Sequence, residues 1–365
     1  MKKLFLINFI IVIFFSACSS KTKNEFEINR ELSKEAIELN NRLKSLVNKG
    51  IMYGHQDDIV YGHDWKTEGE SDVKQVTGDY PAVFGWELGH IENNDPYSLD
   101  SVLFTEIRDG IIWAHKEGGI NTISWHLDNP LTDDNSWDVS SNKVVESILN
   151  DSETNQKYIQ MMDNLAEFLL SLKDDNDNLI PVIFRPFHEH TGSWFWWGED
   201  LCSSEDYIEL WRITVDYLTE KGLNNILYAY SSAGNFDSAE KFLEKYPGDD
   251  IIDIIGFDIY QFGADDNLNY IESTKSMLEI LTPIAEEKGI ITILAETGYE
   301  SIPDATWWTE TLWPAIKDYK ISYVLTWRNA HDREEHYYAP FPGQISAQDF
   351  IEFKENVLFL NDIKQ

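Results

Sequence analysis

Short apolar runs recur along the chain, most of them closing on a polar or charged residue, at 51–55, 82–88, 120–126, 179–187, 225–231, 253–260, 290–296 and 322–328. Runs of this length, rich in β-branched and aromatic residues, predict buried strands. Between them the period changes. Apolar residues recur at helical spacing over 99–116, 154–172, 204–221, 268–288 and 306–318, and a first helix is predicted over 33–48, where Ile37, Leu39, Leu43 and Leu46 share a face. Gly118 and Gly222 fall where two of these helices must stop, as residues suited to a left-handed exit.

Strand and helix therefore alternate, and no G-x-G-x-x-G fingerprint follows any early strand. That pattern predicts a single (β/α)8 TIM barrel over 31–365 rather than an open sheet. His55, Glu87, His126, Glu189, Tyr260, Glu296 and Arg328 all fall at or just past the C-terminal ends of predicted strands. In such barrels this is the catalytic face. Strict alternation along the strands groups Glu189 with Phe187, Arg185 and Ile183, groups Glu296 with Leu294 and Thr292, and groups Tyr260 with Asp258 and Gly256. On this reading Arg185, Glu189, Asp258, Tyr260 and Glu296 point into the mouth.

Composition narrows the ligand. The 365 residues carry 64 Asp and Glu against 29 Lys and Arg, a formal charge of −35, which argues against nucleic acid or an anionic membrane surface as partner. With 13 Trp, 17 Tyr and 19 Phe the chain is rich in aromatics, which suits a neutral, ring-shaped ligand. The N-terminus carries a different message. Lys2 and Lys3 precede an apolar run from Leu4 to Phe15, and Ser16 and Ala17 end it, as in an export signal over 1–17. FSAC, ending on Cys18, resembles a bacterial lipobox. That resemblance implies cleavage before Cys18, lipidation of its sulfur, and a polar tether over 18–30; the competing reading is an ordinary signal with a coincidental cysteine. Lipidation implies an exported, membrane-anchored protein, periplasmic or at the cell surface. Cys202 would then be the one other cysteine, and it reads as a small buried residue rather than a disulfide partner.

Two stretches carry the chemistry. IPVIFRPFHEHTGSWFWWG ends an apolar run on His188, Glu189 and His190 and follows it with four aromatics, Trp194 to Trp197. ITILAETGYE ends another run on Glu296. Two carboxyl groups across a sugar-sized pocket can hydrolyse a glycosidic bond, one protonating the leaving oxygen while the other attacks or activates water. Their environments must differ, the acid's pKa being raised and the nucleophile remaining ionised. The aromatics after Glu189 favour the neutral acid. Tyr260 and Arg185, as inward neighbours, favour the Glu296 anion.

RPFHEHTGSWFWWG resembles the acid/base motif of glycoside hydrolase family 26, the β-mannanases, within the wider clan of retaining (β/α)8 glycosidases. Where that clan usually has asparagine before the acid/base residue, His188 follows the family. The resemblance extends over GHQ at Gly54–Gln56, SWH at Ser124–His126, GFDIY at Gly256–Tyr260, LAETGYE and TWRNA at Thr326–Ala330. It implies Glu189 as acid/base and Glu296 as nucleophile. His126, His188, Trp194, Tyr260 and Trp327 would line the subsite of the cleaved mannose, with Trp194 toward the leaving group and Tyr260 bonded to the nucleophile. The implied substrate is β-1,4-linked mannan, glucomannan, galactomannan or their oligosaccharides, with no cofactor; some relatives act on mixed-linkage glucan or β-1,3-xylan. Arg185 and Arg328 are candidates for orienting carboxylates or sugar hydroxyls. Trp137, Trp196 and Trp197 remain open between subsite and packing, and Trp211, Trp308 and Trp313 read as core.

Two other readings compete. His188 and His190 form an H-x-H pair of the kind a metal-dependent hydrolase uses, but no H-E-x-x-H or comparable ligand spacing accompanies it. A non-catalytic glycan-binding lipoprotein would keep the groove, yet both glutamates and Tyr260 are present.

Overall fold

The computed structural model describes residues 30–67 and 69–364. The predicted export signal, Cys18 and all of the tether before Arg30 lie outside the described residues. Eight parallel strands close into a barrel in sequence order: β1 Met52–Gln56, β2 Val83–Glu87, β3 Ile120–Trp125, β4 Val182–Pro186, β5 Ile226–Ala233, β6 Ile254–Gln261, β7 Ile291–Tyr299 and β8 Tyr323–Thr326. Closure is made by β1 against β8, with Met52 opposite Tyr323 and His55 opposite Thr326. Every predicted run overlaps one of these strands, and β1, β5, β6 and β7 continue past the predicted ends.

Local chemistry sets the helix ends. Ser33 caps helix Lys34–Leu46 by accepting from Ala36 N, and Ser203 caps Ser204–Glu220 by accepting from Asp206 N. Gly118 and Gly222, with φ of 85° and 90°, provide the left-handed exits expected of them. Helix Ser204–Glu220 then lays Tyr207, Leu210, Trp211, Val215 and Leu218 on the outside of the barrel, all buried. Each such side chain stabilises the fold by about 1.5–3 kcal/mol relative to exposure.

Three expectations are corrected. The predicted helix over 99–116 begins only at Phe104, because the residues before it form a turn that carries Asp100 to Arg328. The predicted helix over 306–318 is a π-helical turn, Trp308–Leu312, running into Trp313–Ile316. The strand parity also breaks twice. On β4, Phe187 takes φ 51° and turns outward among Trp196, Trp197, Tyr207 and Trp211, so it does not share a face with Arg185. On β7, Leu294 pairs with Val324 and Thr297 with Thr326, so three steps along β7 match two along β8. The opposite neighbour agrees: Phe257 pairs with Leu294 but Asp258 with Glu296, leaving Ala295 as a bulge. Glu296 is thereby turned to the face of Asp258, whereas Leu294 and Thr292 lie on the other face.

Helix Phe104–Lys116 approaches β2 through a glycine. A Cβ on Gly110 would lie 2.5 Å from the Trp86 ring, which is fully buried with its indole N–H on Asn121 Oδ1 at 2.8 Å. Alanine favours a helix over glycine by about 1 kcal/mol, but overpacking a filled core costs about 1–3 kcal/mol. Gly110→Ala is therefore expected to lower the denaturant midpoint. A rise, read by chemical unfolding, would contradict this packing account.

Candidate active site

Arg185 stands near the end of β4, only 3 % exposed, and its guanidinium reaches across the barrel interior. Nη1 donates to Asp258 Oδ2 at 2.7 Å, and Nη2 donates to Glu296 Oε1. Of the two roles open to it, Arg185 takes that of orienting carboxylates. Burial opposes its charge, but Asp258 and Glu296 outweigh that and raise its pKa. Asp258 Oδ1 accepts from the Ser231 hydroxyl at 2.9 Å, and Glu296 Oε2 accepts from the Tyr260 hydroxyl at 2.8 Å. Both oxygens of Glu296 are thus held by donors, as the neighbours named from the sequence require.

Glu189 lies three residues past the end of β4, in the left-handed region at φ 54°. Two such residues, Phe187 and Glu189, bend the chain out of the strand and back to the mouth, while Glu189 N donates to Ser231 O at 3.0 Å. Left-handed backbone in a non-glycine residue is costly and persists only where the surroundings hold it. Here the held group is a carboxyl. Its Oε2 accepts from Trp194 Nε1 at 2.6 Å. Burial, followed by the charge of Glu296, raises the Glu189 pKa to about 7, while Trp194, Arg185 and His126 pull it back. Trp194 is 42 % exposed and lies flat on Gly192, where any Cβ would come within 2.2 Å of the indole.

A third group lines the mouth from β2 and β3. Glu87 accepts from Gly89 N, Ser124 Oγ, His126 N and His126 Nδ1, at 2.6, 2.6, 2.9 and 2.8 Å. Burial alone would raise its pKa, but the His126 charge and these donors lower it to about 2. His126 in turn has its pKa raised: burial, the largest influence, pushes it down, and Glu87 with Glu296 and Asp100 prevail. Its Nε2 lies 3.2 Å from Nε2 of His188. His188 is driven well below the usual imidazole range by burial and by the Arg185 and His126 charges. The two imidazoles are therefore pushed in opposite directions, His126 toward its charged form and His188 toward its neutral one.

The remaining expected residues fall at different distances from this centre. Trp327 is half-buried with its ring 6.2 Å from His126. Arg328 turns toward β1 and β2, where Nη2 pairs with Asp100 at 2.9 Å and Nη1 meets the Tyr61 hydroxyl at 3.5 Å. Trp137, left open by the sequence, is 48 % exposed and stacked on His126 at 5.2 Å. Trp196 and Trp197 are fully buried and belong to packing, with their indoles on Leu127 O and His188 O. Trp211 and Trp308 are fully buried, and Trp313 packs against the core. Cys202 is half-buried, and burial pushes its thiol up to about 11. Asp100, Tyr61 and Ser231 were not foreseen. Asp100 was hidden inside a predicted helix, and a polar residue following strand β1 was the available signal for Tyr61.

The H-x-H pair does not converge. His188 faces His126, whereas His190 turns behind β5 to the Tyr230 hydroxyl at 2.7 Å, and burial with the Lys245 charge lowers it to about 3. Among the described residues His188, Asp258 and Glu296 bring donor atoms within 4.8 Å of one another. The same two carboxylates already hold a cation, the Arg185 guanidinium, so this donor set fits the arginine better than a metal.

Two glutamates past the ends of β4 and at β7, in a closed parallel barrel with an aromatic mouth, define the class of barrel glycosidases. Residues 28–332 match the profile of glycosyl hydrolase family 26, and the chain belongs to that family. It is 49 % identical to a GH26 β-mannanase structure from Bacteroides ovatus, with a TM-score of 0.88 over 90 % of this chain and 96 % of that one. A mannan endo-1,4-β-mannosidase of Bifidobacterium adolescentis is 28 % identical over 364 residues, 93 % of this chain and 36 % of that protein. One from Bacillus subtilis is 31 % identical over 248 residues, 65 % of each. The chain thus spans from about a third to about two thirds of these curated relatives' lengths.

The indole N–H of Trp194 stabilises the ionised form of Glu189, so removing it must raise the carboxyl's pKa above its present value near 7. Trp194→Phe keeps a ring and deletes the donor. Carboxyl-carbon NMR titration is expected to show a higher midpoint in the variant, and a lower or unchanged midpoint would refute the assignment.

Proposed function

We propose that the protein is a retaining glycoside hydrolase that cleaves β-1,4-mannosidic bonds inside mannan, glucomannan or galactomannan chains. One observation carries the reading: Glu189, held near neutrality, shares the mouth with Glu296, whose two oxygens accept from Arg185 and Tyr260. In the first step a Glu296 oxygen bonds to the anomeric carbon as the glycosidic C–O bond breaks, and the Glu189 proton passes to the leaving oxygen. In the second, ionised Glu189 takes a proton from water, whose oxygen replaces Glu296 at the same carbon. Two inversions restore the original configuration. His126, His188, Trp194, Tyr260 and Trp327 form the walls that hold the reacting sugar, and Arg328 stands paired with Asp100 on the side toward β1 and β2. The mannanases named among the relatives support the choice of substrate.

General acid help contributes about 10²–10⁴ in rate. Glu189→Ala is therefore expected to reduce cleavage of mannan by roughly that factor while largely sparing aryl glycosides with good leaving groups; Glu296→Ala should abolish both. Equal loss on the two substrates in Glu189→Ala would remove Glu189 from its role. A product time course on linear mannan, galactomannan, mixed-linkage glucan and β-1,3-xylan tests the substrate. Internal cutting of mannan is expected, and preferential cutting of another glycan would overturn the specificity.

The FSAC pattern also supports an exported lipoprotein anchored through Cys18. The first described residue, Arg30, docks at Ile251 O and Asp253, beside the N-terminal end of β6 and opposite the mouth. Incorporation of labelled palmitate, lost on Cys18→Ser, is the expected result; labelling that persists in the variant would refute it.

A further inference from the structure

Beyond the reacting centre, one large apolar side chain on the mouth face has no use in the chemistry above. Phe262, the residue after the end of β6, is 89 % exposed, more than any other large hydrophobic residue described. Single exposed apolar residues are ordinary on protein surfaces, and Leu268 and Ile345, at 74 % and 64 %, are of that kind. Three features set Phe262 apart. Its side chain is a flat ring. It follows Tyr260 by two positions, so strand alternation carries it up the same face that points Tyr260 at Glu296. And it continues a line of rings, with Tyr338 and Tyr260 centroids 5.6 Å apart and Tyr260 and Phe262 centroids 6.5 Å apart.

The backbone that carries the ring is pinned. Trp307 Nε1 donates to Gln261 Oε1 at 2.8 Å, and Gln261 Nε2 donates to Gly263 O at 2.8 Å, with Trp307 and Gln261 both buried. These bonds fix the backbone on either side of Phe262. Two strand residues rise about 7 Å, so the ring stands well above Tyr260 and beyond the sugar whose bond is broken. Glu189, which protonates the leaving oxygen, and its partner Trp194 both come from the loop after β4, which puts the leaving group on the β4 to β6 side of the mouth.

We propose that Phe262 is a stacking platform for a pyranose ring of the polysaccharide on the leaving-group side, at least one unit beyond the sugar that Glu189 protonates. The proposal rests on the glycosidase reading above. The apolar face of the sugar covers the phenyl ring, and Tyr260 links the platform to the reacting subsite. Such a platform binds long substrates and sugar acceptors but touches no reacting atom, so its effect belongs in KM.

The test compares Phe262→Ala and Phe262→Trp with the native chain on mannopentaose, linear mannan and an aryl β-mannobioside, whose leaving group is a single aryl ring. Loss of one ring contact is expected to raise KM for mannopentaose by about tenfold with kcat nearly unchanged, to leave the aryl glycoside unaffected, and to be reversed by tryptophan. Equal changes on both substrates, or none on mannopentaose, overturn the platform. If the native chain prefers another β-glycan, the same comparison is made with that glycan's oligosaccharide and aryl glycoside; the substrate assignment then fails alone, and the platform is judged on the same ratio.

Discussion

One buried guanidinium holds the centre of this barrel together. Arg185 leaves β4 and reaches past β5 to Asp258 on β6 and Glu296 on β7. Removing such a charge would strand two carboxylates in a poorly solvated interior, which is costly. The β7 bulge is the geometric complement of this contact. Without the extra residue at Ala295, Glu296 would follow Leu294 in parity and face away from Arg185. Electrostatic demand and strand register therefore specify the same position for one carboxylate.

The mouth shows how two glutamates of equal intrinsic acidity are driven apart. Glu87 and Glu189 are both desolvated, and both lie near His126 and other charges. Glu87 gathers four donors, one of them a charged imidazole, and is held at about 2. Glu189 has one donor, the Trp194 indole, and faces another carboxylate, and so rises to about 7. Neighbouring charge and then donor count, rather than depth of burial, separate a fixed anion from a group able to give and take a proton near neutrality.

Much of this was legible along the chain, and the exceptions share a cause. All eight strands, the barrel and the convergence of Arg185, Asp258, Tyr260 and Glu296 follow from apolar runs that end on polar residues. Alternation failed at Phe187 and at Leu294, because a left-handed residue and a bulge are events of backbone geometry that no side-chain pattern announces. Glu189 was placed on the correct side for a reason other than parity: the chain turned twice, not zero times. Asp100 stayed hidden because residues 99–103 carry helical spacing, and only the distant Arg328 makes them a turn. Short helices such as Asp72–Thr77 and Ala239–Leu243 have too few residues to show a period.

The run Trp194 to Trp197 illustrates how one composition divides into two roles. A sequence of four aromatics offers no way to tell which rings meet ligand, since all four rings bury well and all can stack on sugar. Geometry divides them by hydrogen bonding. Trp196 and Trp197 send their indole N–H groups to backbone carbonyls of Leu127 and His188, tying the loop after β3 and the residue before Glu189 into the core. Phe195 stacks on Trp197 at 4.6 Å and on its other side approaches His126, joining the buried pair to the mouth. Trp194, laid on Gly192, is left with an exposed face and an N–H directed at Glu189. The buried rings thus fix the acid's backbone, while the exposed one meets its carboxyl group. A tryptophan here acts on chemistry either by immobilising a carbonyl or by presenting a face, and the partner of its single donor decides which.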